Sequence, residues 1–235
     1  AAQMAFKFQN PAVTPVFTAG LSLGEYSALV SAGSLSIDNS LKLVSKRARF
    51  MKEASLKNPG KMLAIIGLSR QEVAEISGLS GAQIANLNSP AQIVVSGTNS
   101  QIEHAERLAR EKGAKKAVVL KIEGPYHSRL MDEAAVLLEE ELTKIEIKKP
   151  LVPVVANVTA SCEETSEDIK SNLVKQLNHK TLWEDSIRLM ISKGIKDFVE
   201  IGPGKVLKGI LRRIDQDLTV YSIEKTADLD KLLNC

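Results

Sequence analysis

Two hydrophobic patterns alternate along this chain, one with the period of a strand and one with the period of a helix. A short apolar run, Pro15-Val16-Phe17-Thr18-Ala19, leads into a glycine-flanked corner and then into a helix-like run. Ser36 or Asp38 can cap a following helix, in which Leu41, Val44, Ala48 and Met51 recur at helical spacing. Asn58-Pro59-Gly60 breaks it. Met62–Leu68 is strand-like, and Ser69-Arg70-Gln71-Glu72 is a capping box opening a short helix. Ile84–Leu87 and Gln92–Ser96 read as strands on either side of Asn88-Ser89-Pro90. Gln101–Lys112 reads as a helix that stops at Gly113, and Ala117–Ile122 as a strand. Further on, helices are predicted over Met131–Ile145, Ser166–Leu177, Leu182–Lys193 and Val206–Ile214. Strands are predicted over Leu151–Asn157, Lys196–Ile201 and Leu218–Ile223.

The order within residues 59–123 is β-α-β-β-α-β, a ferredoxin-like unit. Around it, strands alternate with helices, which implies a mostly parallel sheet. The fold class expected is therefore α/β. A larger, hydrolase-like subdomain, residues 1–58 and 124–235, carries an inserted ferredoxin-like subdomain, residues 59–123.

Composition narrows the function by exclusion. The 235 residues can bury a substantial core. With 31 basic and 28 acidic residues the net charge is +3, and no basic block stands out. Aromatic residues make up 4%, too few for base-stacking platforms. Nucleic acid is not an expected partner. No apolar run has the length of a membrane span, and Ala1-Ala2-Gln3-Met4-Ala5-Phe6 lacks the shape of a signal peptide. Cys162 and Cys235 form neither a disulfide framework nor a metal spacing. A reducing compartment is the simplest home, the cytoplasm or a plastid-like organelle. No metal or other cofactor is expected.

Gly20-Leu21-Ser22-Leu23-Gly24 has the Gly-x-Ser-x-Gly pattern, and its strand-to-helix context is that of a nucleophile elbow. Glycines at both flanks remove Cβ atoms that would clash in so sharp a turn. An ordinary strand–turn–helix corner has the same local pattern. A serine hydroxyl also needs a base. Of the three histidines, His104 sits in a charged helix and His179 at a helix end. His127 follows Gly124-Pro125 where an extended run ends, at the natural edge of a cleft. Arg47 lies beside the apolar stripe of its helix, a position that spacing alone reads as surface. Glu200-Ile201-Gly202-Pro203-Gly204-Lys205 is not a phosphate loop, because the loop is too short and Val206 follows the lysine.

The longer string Gly20-Leu21-Ser22-Leu23-Gly24-Glu25-Tyr26-Ser27-Ala28-Leu29 resembles the active-site segment of malonyl-CoA:acyl carrier protein transacylases. Lys46-Arg47-Ala48-Arg49-Phe50-Met51, Asn88-Ser89-Pro90, Gly124-Pro125-Tyr126-His127-Ser128, Pro153–Thr159 and Glu200–Leu207 resemble further blocks of that family in the same order. The resemblance runs from about Thr14 to the C-terminus. It implies Ser22 as nucleophile, His127 as base and Leu23 N–H as an oxyanion donor. It implies Gln176, in Lys175-Gln176-Leu177, as the residue whose backbone carbonyl orients the base, although a helix-surface glutamine fits the sequence equally. Arg47 is implied to bind a malonyl carboxylate, and Asn88 and Tyr126 to line the substrate site. An aromatic residue at the position of Tyr126 goes with malonyl rather than methylmalonyl use.

The partners implied are malonyl-CoA and acyl carrier protein, and the reaction is ping-pong transfer in fatty-acid biosynthesis. Alternatives are a serine hydrolase or thioesterase, or a weakly catalytic acyl-carrier docking domain. The chain departs from the family in two places. Leu21 stands where many members carry histidine. No Gly-Gln-Gly-Ser-type loop precedes Ala19, and Gln9-Asn10-Pro11 is no substitute. The expectation is that an upstream segment bearing the second oxyanion donor is missing.

Overall fold

The computed structural model describes residues 14–225 and 227–228. Gln9-Asn10-Pro11 and Cys235 lie outside them. Strand β1, Thr18–Ala19, turns sharply into helix α1, Gly24–Ser31. Helix α2, Ile37–Lys57, starts at Ser36, whose Oγ accepts a hydrogen bond from the Asn39 N–H at 3.1 Å. The buried stripe of α2 differs from the one that apolar spacing predicts. Leu41 and Ala48 are exposed, and the inward row is Leu43, Arg47, Phe50 and Ala54. Apolar spacing cannot find this row because one of its members is a cation.

Strand β2, Gly60–Ile66, is followed by helix α3, Arg70–Ser80, and strands β3, Gln83–Ser89, and β4, Gln92–Thr98. Helix α4, Asn99–Glu111, and strand β5, Lys116–Val119, complete an antiparallel sheet of order β3-β4-β2-β5. That is the strand order of a ferredoxin-like unit. Both of its helices open on capping boxes, Ser69 with Glu72 and Thr98 with Gln101. Alternation in β2 sends Leu63 and Ile65 to one face, where they pack with Val73, Ile76, Val95 and Ile102. Met62 and Ala64 go to the other face, with Ala85, Val94 and the half-buried Tyr126. The small sheet thus delivers one face to its own helices and the other to the residue preceding His127.

Beyond it, a 3-10 turn at Arg129–Met131 precedes helix α5, Asp132–Thr143. Strand β6 is only Val154–Val155, shorter than Leu151–Asn157 predicts. Pro150 and Pro153 cannot donate to a ladder, and past Val155 the backbone N–H groups bond elsewhere, Ala156 to Ser161 O and Asn157 to Glu25. Helices α6, Ser166–Asn178, and α7, Trp183–Ser192, strand β7, Asp197–Ile201, helix α8, Val206–Ile214, and strand β8, Thr219–Ile223, follow. Parallel pairing joins β1 to β6 and β7 to β8, as separate two-stranded pieces among the described residues.

One core holds Leu29, Leu43, Leu138 and Leu173 of α1, α2, α5 and α6. A second holds Val155, Trp183, Ile187, Leu211 and Val220, with Ala19 and Leu21 packed against it. The corner between β1 and α1 is therefore clamped from both sides. Thr181 ties the small sheet to the rest: its N–H donates to Ala85 O at 2.8 Å and its carbonyl accepts from Leu87 N–H at 2.9 Å.

Candidate active site

The β1–α1 corner brings Gly20 against the start of α1. A Cβ on Gly20 would lie 2.0 Å from the Gly24 carbonyl carbon, so only glycine fits. Gly24 is different: a Cβ there meets nothing within 4 Å. The expectation that both glycines relieve a clash is thus met at Gly20 alone. Gly20→Ala is expected to lower Tm sharply, whereas Gly24→Ala should change it little; thermal melts of the two variants check this.

Ser22 sits at the apex with φ of 51°. A non-glycine residue pays for that left-handed backbone, on the order of 1–3 kcal/mol. The turn is held by Asn157, whose Oδ1 accepts from Ser22 N–H at 2.6 Å and whose Nδ2 donates to Gly20 O at 2.8 Å. The Ser22 N–H is therefore occupied. Leu23 stands at the N-cap of α1, half exposed, and its N–H has no acceptor among the described residues.

His127 also has a positive φ, 58°, and is buried. Its N–H donates to Leu177 O at 3.0 Å. Its Nδ1 lies 2.6 Å from the backbone carbonyl of Gln176, an acceptor only, so Nδ1 carries the proton. Nε2 is then the free acceptor, and it lies 2.9 Å from Ser22 Oγ. Burial, reinforced by Arg47, pushes the imidazole down to about 4, so it is neutral at physiological pH. Acylation is expected to hold its rate from pH 8 down to about pH 5 and to fall only as His127 protonates; single-turnover rates across pH check this.

Arg47 is buried, with Nη2 2.9 Å from Ser22 Oγ and 3.2 Å from Gln176 Oε1. Its guanidinium lies 5.8 Å from the Tyr26 ring centroid, and its Nε has no hydrogen-bond partner. Burial lowers its pKa, against the opposing pull of Tyr26, Glu25 and Tyr126. Among the described residues no carboxylate is close enough to pair with it. The surface reading of Arg47 is overturned, because its guanidinium is enclosed by Ser22, by Tyr26 of α1 and by Gln176 of α6.

Gln176 is likewise buried rather than on a helix surface. Its Nε2 donates to Ser22 O at 3.0 Å and to Glu25 Oε2 at 2.6 Å. Tyr126 is half buried beside His127, and burial raises its phenol. Asn88 lies buried on β3 with its Oδ1 unpartnered. None of its hydrogen bonds reaches Ser22, His127 or Arg47. The structure thus brings Ser22, His127, Gln176 and Arg47 into one bonded cluster and leaves Asn88 outside it. His179 is exposed, and its ring meets Lys175 O and Asn178 instead.

A family model for the acyl transferase domain matches residues 3–224. The malonyl CoA-acyl carrier protein transacylase of Bacillus subtilis is 43% identical over 222 residues, 92% of this chain and 70% of that one. This chain belongs to the acyl transferase family. Among solved structures, the malonyl CoA-acyl carrier protein transacylase of Coxiella burnetii aligns with a TM-score of 0.95 at 35% identity, over 100% of this chain and 76% of that one. A malonyl-transacylase solved in complex with its type II polyketide synthase acyl-carrier protein aligns with a TM-score of 0.95 at 34% identity, over 100% of this chain and 78% of that one.

Two features of this acyl transferase escape a reading of the sequence alone. Asn157 has no local signal beyond ending a valine-rich run. Glu25 looks like an ordinary acidic residue complementing the start of a helix, yet it is fully buried. Burial and the neighbouring Glu163 raise its carboxyl to about 8. The folded state therefore holds a proton that the unfolded chain releases near pH 4.5, and stability falls as pH rises through that window. Tm is expected to drop by on the order of 5 °C from pH 5 to pH 8. In Glu25→Gln that slope should flatten, which calorimetry at both pH values reads directly.

Among the described residues no group of three or more His, Cys, Asp or Glu side chains could hold a metal ion, and no helix is long and apolar enough to cross a membrane.

Proposed function

We propose that this acyl transferase moves a malonyl group from malonyl-CoA to the phosphopantetheine thiol of an acyl carrier protein, through a seryl intermediate. The observation that carries this reading is Arg47. A buried guanidinium without a paired carboxylate is costly, and this one touches the nucleophile at 2.9 Å. An acyl group with its own carboxylate would supply the missing anion, held bidentately as a guanidinium fork allows.

In the first half-reaction Ser22 Oγ attacks the thioester carbonyl carbon and its proton passes to His127 Nε2. The Gln176 carbonyl holds the resulting imidazolium, and the oxyanion faces the Leu23 N–H. The C–S bond breaks, and the CoA sulfur leaves with the proton from His127. In the second half the phosphopantetheine thiol gives its proton to His127 and attacks the seryl ester, and Ser22 leaves as the hydroxyl. This scheme calls on no cofactor. Tyr126 bounds the acyl pocket and excludes a methyl branch at the malonyl α-carbon, with Asn88 lining the same cleft. This reading divides the chain into residues 1–58 with 124–235 and residues 59–123, and sets the described portions of the two on either side of the substrate. The cytoplasm is the compartment this reading assigns.

Incubation with malonyl-CoA followed by intact-mass measurement tests the proposal. A mass increase of one malonyl group that disappears on adding holo acyl carrier protein supports it. No mass increase overturns it.

A further inference from the structure

Glu25 does something the transfer scheme leaves unused. Its Oε2 is the meeting point of three segments: it accepts from Gln176 Nε2 on α6 at 2.6 Å and from the Asn157 N–H after β6 at 3.2 Å, while Glu25 itself belongs to the first turn of α1. Each donor has a second task at the site. Asn157 holds Ser22 N–H and Gly20 O through its side chain, which fixes the strained corner. Gln176 holds His127 Nδ1 through its carbonyl and Ser22 O through its Nε2. Nucleophile and base come from positions 105 residues apart in the chain. A single carboxyl oxygen ties the segments that carry their supports.

We propose that Glu25 is a positioning residue that sets the Ser22–His127 distance by bonding Gln176 and Asn157 at one oxygen. It touches neither Ser22 Oγ nor His127, so it acts through those two side chains. An acceptor oxygen is what the role requires. The charged and titratable groups facing it are Glu163, Arg47 and Tyr26, and the first of these opposes its ionisation. A glutamine offers the same acceptor in the same volume; an alanine offers none. The proposal rests on Ser22 as nucleophile and His127 as base.

The test measures single-turnover acylation by malonyl-CoA and, separately, the rate at which a fluorophosphonate labels Ser22. Glu25→Ala is expected to slow both by about 10- to 100-fold, with KM for malonyl-CoA within about 3-fold of wild type. Glu25→Gln should stay within about 5-fold of wild type in both. Gln176→Ala removes the partner from the other side and should cost a similar factor. The double variant Glu25→Ala/Gln176→Ala should lose less than the product of the two single losses, because both break the Gln176–Glu25 bond while each also breaks a bond of its own.

If Glu25→Ala does not fold, the contrast between Glu25→Gln and Gln176→Ala carries the test. Equal loss in Glu25→Gln and Glu25→Ala would overturn the proposal, as would a loss confined to KM or a fully additive double variant. A wild type that labels with fluorophosphonate but never accepts malonyl would refute the transfer reading alone. The labelling rates would still decide the role of Glu25.

Discussion

Ser22→Ala is expected to leave no acyl-enzyme at all. Among the described residues the hydroxyl is the only nucleophile that His127 Nε2 faces, and Arg47 Nη2, the other group on it, stays cationic and cannot take an acyl group. The variant should fold, since Ser22 Oγ is at the site and the corner is held by backbone bonds to Asn157 and Gln176. His127→Ala should slow acylation by about 10²–10⁴-fold while keeping the fold, because it removes the base rather than core packing. Tryptic mapping after malonyl-CoA treatment checks both. Acyl label persisting in the Ser22→Ala protein would sink the assignment of the nucleophile. The same experiment separates transfer from hydrolysis. A stable label that only a carrier thiol removes marks a transferase, and a label lost to water marks a hydrolase.

Arg47→Ala is expected to abolish the preference for malonyl. The loss should be about 2–5 kcal/mol if the carboxylate pair is desolvated, which is about 30-fold to several thousand-fold in kcat/KM. Acetyl-CoA carries no carboxylate and should be used better by the variant than by wild type. The substitution removes a buried cation that has no paired anion among the described residues, so loss of fold is not part of the expected result. Competition among equal malonyl-, methylmalonyl- and acetyl-CoA in the wild type tests Arg47 and Tyr126 together. Equal use of all three would refute both roles.

Much of this molecule is decided within a few residues of sequence. The two capping boxes at Ser69 and Thr98 work over three residues and start α3 and α4 wherever they stand. The turn between β3 and β4 carries Pro90, and their apolar runs set the hairpin. The corner at Gly20 and Ser22 is also local, because the glycine answers a clash with a backbone only four residues away. The order of motifs points to Ser22 and His127 by resemblance for the same reason: each motif is short and self-contained.

What distance in the chain separates, only the tertiary structure can join. Arg47 reads as surface by spacing and is buried because Ser22, Tyr26 and Gln176 close around its guanidinium. Gln176 looks like any helix glutamine until α6 docks and turns its carbonyl to His127 at 2.6 Å. Asn157 and Glu25 carry no periodic signal, since a polar group inside the core is stabilised by partners that lie 132 to 151 residues away in sequence. Hydrophobic pattern predicts which faces must leave water. It does not say which buried polar atoms will find each other, because that depends on how the faces are finally packed.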